Sequence, residues 1–155
     1  MKIIQLFKEP VNKSDLMPVI RQGVFMSIVG GLLIGALHLL IIQVFGFSFL
    51  WIMLFIFAFT LARRMHAAYH TYHILYAIIA ILTVFITFYL LNVVYYVGLL
   101  YMVDSLSITS FSYMLNPLIH FQFFNIFTSG FFSIENLLDV IFFLIVNIYV
   151  VRYIK

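Results

Sequence analysis

Residues 63–73 read RRMHAAYHTYH, and they hold two of the chain's eight lysines and arginines and three of its five histidines. The flanks are apolar on both sides, LWIMLFIFAFTLA (50–62) before and ILYAIIAILTVFITFYLL (74–91) after. How this stretch is read decides the fold. On one uninterrupted helix, His66, His70 and His73 would stack along a single face, because side chains three and four apart are neighbours. If the chain turns here instead, Arg63 and Arg64 mark the polar elbow between two membrane crossings.

Composition favours the elbow. Of 155 residues, 66% are hydrophobic and 8% charged, against roughly 25% charged in a soluble domain. Such a chain cannot cover a water-facing surface, so lipid must solvate most of it. A crossing takes about 20 apolar residues, with a working range of about 17–25. Crossings are expected at 24–45, 47–63, 72–98 and 134–152. The second is short, and Arg63 can lengthen it by extending its guanidinium to the interface. The expected fold is an all-α integral membrane protein, four transmembrane helices in a bundle. Residues 1–22 form a cytoplasmic leader and 23–155 a single membrane domain.

Charge separates four crossings from three. Lys2, Lys8, Lys13 and Arg21 precede the first crossing, Arg63 and Arg64 follow the second, and Arg152 and Lys155 close the chain. The link near 43–48 has no basic residue, and neither does the long link 104–136. Four crossings put all eight basic residues on one side, whereas three would split them. Cytoplasmic loops collect Lys and Arg. Both termini are therefore expected in the cytoplasm, at a plasma (inner) membrane, with Arg63 and Arg64 as topology anchors and 104–136 outside. The richness in isoleucine and phenylalanine suits a bacterial chain.

The absence of cysteine removes disulfides, thiolate metal sites and thiol nucleophiles. The first crossing reads as retained, since no small-residue cleavage site follows it. In the leader, Ile3, Ile4, Leu6 and Phe7 are expected to rest on the membrane beside Lys2 and Lys8. Pro10 limits that segment, and Ser14 is the expected cap of the helix that follows.

Several residues stand out inside the apolar runs. Gly31 and Gly35 have the small-xxx-small spacing that lets helix backbones approach. His38 shares their face. His38, Asn92, Asp139 and Asn147 are intramembrane polar candidates, and such groups are functional candidates by default. A proton or ion route through Asp139, His38, Asn92 and the histidine elbow is one expectation. Tyr69, Tyr72, Tyr76, Ala80, Thr83 and Thr87 follow three-four spacing and suit a helix contact. The link 104–133 is too aromatic for a solvated loop. Pro117 and Gly130 bracket a short interfacial or re-entrant helix or a contact surface. Ser133 is expected to cap the last helix, with Glu135 near its positive end.

The chemistry of these residues excludes more than it selects. No phosphate-binding glycine loop is present, and no nucleic-acid partner is expected. Paired acids, a serine elbow and a nucleophilic cysteine are all missing, so no catalytic constellation is readable. The stretch HAAYH (66–70) resembles one histidine box of the membrane fatty-acid desaturases and hydroxylases, but the further boxes of those families are absent. The arginine–histidine elbow resembles that of the four-span eicosanoid and glutathione membrane enzymes, without the Asn and Glu expected after the arginine. Both resemblances are set aside.

The reading is a non-catalytic accessory or transport-associated subunit of a membrane complex. Its partners are the bilayer and either a protein or a second copy, met through the Gly31–Gly35 face or through 104–133. Three alternatives remain. His66, His70 and His73 could bind a metal or haem, since imidazole suits zinc, copper, iron or nickel. The elbow offers no acid to support them, and two arginines repel a cation. The chain could also be a membrane enzyme acting on a lipid, or an immunity protein that blocks a membrane-active toxin. No cofactor is otherwise expected.

Overall fold

Each helix boundary has a local chemical cause. The computed structural model describes residues 11–155; the leader residues Ile3, Ile4, Leu6, Phe7 and Pro10 lie outside the described residues. Helix α1 (Lys13–Phe45) is capped by Asn12, whose side chain accepts from the Ser14 amide at 3.1 Å. Ser14 is thus not the cap. Its hydroxyl donates to the same Asn12 oxygen at 2.7 Å. Pro18 lies inside α1 on an exposed face, where the lost backbone donor falls among exposed residues. The helix runs without a break past residue 22, so the border between leader and membrane domain is a change of charge only. It ends at Gly46, whose φ of 74° is a conformation glycine adopts without strain.

Helix α2 (Leu50–His66) follows, and after the turn at 67–73 comes α3 (Ile74–Met102), capped by His73. The link 104–133 holds α4 (Ile108–Met114), α5 (Pro117–His120) and a single 3₁₀ turn at 122–124. Asn116 caps α5, and Pro117 occupies its first position, where the missing N–H costs nothing. Helix α6 (Ile134–Ile154) is capped by Ser133, as expected, with Glu135 in its first turn. No strand occurs among the described residues.

Three helices, α1, α3 and α6, are long and apolar enough to cross a membrane. The fourth expected crossing, α2, has 17 residues, about 25 Å at 1.5 Å per residue.

Side-chain contacts fix the relative directions. From Gly23 beside Thr83, through Gly31 beside Leu90, to Gly35 beside Val94, numbers rise together, so α1 and α3 run parallel. Along α2 and α6 they also rise together: Trp51 meets Asp139, Phe55 meets Tyr149 and Phe59 meets Tyr153. Between α1 and α2 they run in opposition, His38 meeting Ser48 and Gly30 meeting Phe57. The result is two parallel pairs set antiparallel to each other.

The glycines explain the closeness of α1 and α3. A Cβ on Gly35 would lie 2.7 Å from the Leu91 carbonyl oxygen and 2.8 Å from the Val94 Cβ. Real side chains do not pack that tightly, so only glycine fits. The facing stripe of α3, Tyr76, Ala80, Thr83 and Thr87, is buried, and both threonines donate to carbonyls of their own helix. Tyr69 and Tyr72 precede α3 and belong to the turn. The Gly31–Gly35 face is therefore covered within the chain by α3.

The link 104–133 does not stand off in solvent. Phe121 packs on Phe85 and Phe88 of α3, and Phe123 on Phe88 and on Phe143 of α6. Phe88 lies 14 residues before the end of α3, about 21 Å along the axis. The link thus returns along the flanks of α3 and α6.

Candidate functional site at the two ends of the bundle

At the basic end, the turn at 67–73 is fastened to α1. Asp15, in the first turn of α1, accepts from the backbone amides of His70 at 3.2 Å and Thr71 at 3.4 Å, and from the His70 ring Nδ1 at 3.1 Å. Its side chain is 3% exposed, whereas that of His70 is 94% exposed. The His70 ring beside it, ahead of the two amides, holds the Asp15 carboxyl below its ordinary range, against the opposing effect of burial. A carboxylate that accepts backbone amides favours its charged form.

Tyr69 supplies the second fastening. Its hydroxyl donates to the Ile154 carbonyl at the end of α6. The ring nitrogen Nδ1 of His66 lies 2.9 Å from the same hydroxyl oxygen. With the tyrosine proton committed to Ile154, His66 must donate through Nδ1. Burial, with smaller effects of Tyr72 and Tyr76, pushes the Tyr69 hydroxyl up to about 12, so it stays a donor at neutral pH. His73 accepts the Leu75 amide through Nδ1. That requires an unprotonated Nδ1.

The three elbow histidines therefore face three different tasks. His66 ends α2 and serves Tyr69, His70 serves Asp15, and His73 caps α3. No group of three or more His, Asp or Glu that could hold a metal occurs among the described residues. The expected His66–His70–His73 set is not assembled, because the turn at 67–73 breaks the helix that would have stacked it.

At the opposite end, His38 is buried between α1 and α3. Its Nε2 lies 2.9 Å from the Ser48 hydroxyl, and its ring stacks on Tyr95 with centroids 4.5 Å apart. Ser48 in turn accepts the Leu50 amide at the start of α2. Asn92 donates to the Phe88 carbonyl of its own helix, and Asn147 likewise to Phe143. Asp139 accepts from the Trp51 indole N–H at 2.9 Å, and the Trp51 ring stacks on Phe88 and Phe142. Asp139 also lines a recess of about 310 Å³ with Gln122, Thr128, Ser133, Glu135 and Asn136.

Three side chains answer the backbone of the returning link. Asn136 donates to the carbonyls of Phe123 and Phe131, both at 3.0 Å. Tyr89 donates to Leu115, and His120 Nε2 to Met114 at 2.7 Å. Irregular backbone packed against helices needs such partners wherever water does not reach it.

Asp139, His38 and Asn92 each bond to a different partner, Trp51, Ser48 and the Phe88 carbonyl. His38 and Asp15 are 23 residues apart on α1, about 34 Å, and Asp139 sits in a different seam, between α2 and α6. Sequence reasoning passed over Asp15 and assigned Tyr69 to a helical stripe. The one available signal was an isolated acid in NKSDL, set among basic residues, which invites a nearby donor. Comparison with protein families, with curated proteins and with solved structures finds no match.

Proposed function

We propose that this chain is a four-crossing membrane subunit without catalysis of its own, with its basic end in the cytoplasm, that meets a partner protein through residues 104–133. Crossing by α2 is supported by its position. It runs alongside α6 from Trp51–Asp139 at one end to His66–Tyr153 at the other, so both helices occupy the same depth. Orientation is supported by charge. Lys13, Arg21, Arg63, Arg64, Arg152 and Lys155 gather at the Asp15–His70 end, while Asp104, Glu135 and Asp139 belong to the other.

The observation that carries the subunit reading is the outer link. It packs on α3 and α6 with one side and leaves large apolar side chains open on the other, Ile108 at 91% and Phe127 at 92% exposed, with Leu118 and Phe132 close behind. Contiguous apolar surface at the rim of a protein marks an interaction site. Asp15, Tyr69, His38 and Asp139 each tie one element to another, which suits a rigid scaffold for that surface. An immunity protein would use the same surface against a toxin, and an accessory or transport subunit would use it within a complex.

The test is photo-crosslinking in native membranes from a reactive analogue at Phe127, with Leu33, on the lipid-facing side of α1, as reference. The proposal expects one discrete protein adduct at Phe127 and lipid adducts alone at Leu33. Lipid adducts alone at both positions would remove it.

A further inference from the structure

The seam between α2 and α6 holds a groove of about 460 Å³, lined by Phe55, Ile145, Ile148, Tyr149, Arg152 and Tyr153. Five of the six are hydrophobic or aromatic. The sixth, Arg152, stands in the last turn of α6, at the basic end. Ile145 lies seven residues earlier, about 10 Å along the axis. It is a shallow apolar groove with one cation at its end. Tyr149 packs on Phe55 with centroids 5.1 Å apart and Tyr153 on Phe59 at 6.3 Å, so the aromatic walls belong to both helices. The Arg63 guanidinium lies over the Phe59 ring, 5.4 Å from its centre. A second cation thus stands one ring away from the seam.

Among the described residues, neither arginine has a carboxylate partner. The one ion pair among the described residues joins His70 to Asp15. The other described acids, Asp104, Glu135 and Asp139, belong to the far end. Arginine recognises phosphate by paired N–H donors, and basic pockets between helices on the cytoplasmic side suit anionic headgroups.

We infer that this seam is a binding site for an anionic glycerophospholipid, with the phosphate on Arg152, supported by Arg63, and one acyl chain along Phe55, Ile148 and Ile145. The inference rests on the reading that the basic end lies at a membrane surface. Charge complementarity selects the occupant: a zwitterionic lipid adds a cation to an already basic face, and a partner helix would have to bring an acid to the same spot. With the basic end at a membrane surface, Tyr149 and Tyr153, in the last two turns of α6, suit the headgroup level where aromatic residues anchor.

The full chain, purified in mild detergent with equal phosphatidylglycerol and phosphatidylcholine, is examined by native mass spectrometry. The wild type is expected to retain phosphatidylglycerol in preference. Arg152→Gln is expected to weaken that retention by about fivefold, while Arg152→Lys keeps most of it. Lys13→Gln removes the same charge from the same end, away from the seam, and is expected to leave retention unchanged. Ile148→Trp keeps every charge but fills the groove, and is expected to lose the lipid even if Arg152→Gln fails to fold. Equal retention of both lipids, indifference to Arg152→Gln and Ile148→Trp together, displacement by inorganic phosphate alone, or a protein bound in place of the lipid would each overturn the site. Side-specific labelling of the elbow reads topology independently of any adduct, so failure of the site and failure of the orientation are told apart.

Discussion

The carboxylate of Asp15 holds the amides of His70 and Thr71 across 55 and 56 residues of chain. One short side chain on α1 therefore sets where α2 must have ended and where α3 begins. Without that acceptor, the amides of His70 and Thr71 would lose their shared partner and the turn at 67–73 would be held less tightly to α1.

Asp15→Ala should therefore loosen the elbow. The expected result is a Tm several degrees lower and faster amide exchange at residues 67–73, read by exchange mass spectrometry. Asp15→Asn keeps an acceptor and should fall between wild type and Asp15→Ala.

The same contact predicts a pH dependence. The folded-state carboxyl titrates below its ordinary range, chiefly through the His70 ring. A depressed carboxyl stabilises the fold at every pH above its unfolded value, and that contribution is lost as pH falls through the folded value. Stability should hold from neutral pH down to about 4 and decline below it. In Asp15→Asn this acid-side decline should be smaller, which denaturation curves at stepped pH would measure.

Tyr69 makes the opposite, alkaline prediction. Its hydroxyl is raised to about 12, so its contribution is complete below about 10, the unfolded value, and is lost as pH climbs through the folded one. Tyr69→Phe should cost about 1 kcal/mol at neutral pH, for the bond to Ile154. It should also flatten the alkaline limb of the stability profile.

Trp51→Phe keeps the ring stack on Phe88 and Phe142 but removes the donor to Asp139. The expected loss is about 1–3 kcal/mol. Combined with Asp139→Ala, the loss should be less than additive in a double-mutant cycle, and additivity would show that the two residues are not coupled.

Gly35→Ala should cost about 1–3 kcal/mol through overpacking against Leu91 and Val94. Gly130→Ala, where nothing lies within 4 Å of the added carbon, should be near neutral. Thermal unfolding of the two variants side by side decides this.

What the sequence made readable follows from the range of the forces involved. Helix positions, the hairpin at Arg63 and Arg64, the cap at Ser133 and the close glycine face are written in local pattern, and all appear in the structure. The spread of His66, His70 and His73 was not readable, because no glycine or proline lies between 47 and 97 and the turn depends on Asp15, far away in sequence. The return of 104–133 onto Phe88 and Phe143 likewise depends on Asn136, Tyr89 and His120 meeting carbonyls that periodicity cannot locate. The cap at Asn12 in place of Ser14 is a two-residue shift that neighbouring capable residues leave open.

The central claim is that four crossings leave every lysine and arginine in one compartment. A chain without cysteine allows a direct measurement, with single cysteines at Ser14, Ala67, Ser105, Thr128 and Lys155 labelled by an impermeant maleimide in oriented vesicles. The account predicts that positions 14, 67 and 155 are modified from one side and 105 and 128 from the other. Labelling of position 67 from the side opposite positions 14 and 155 would contradict it.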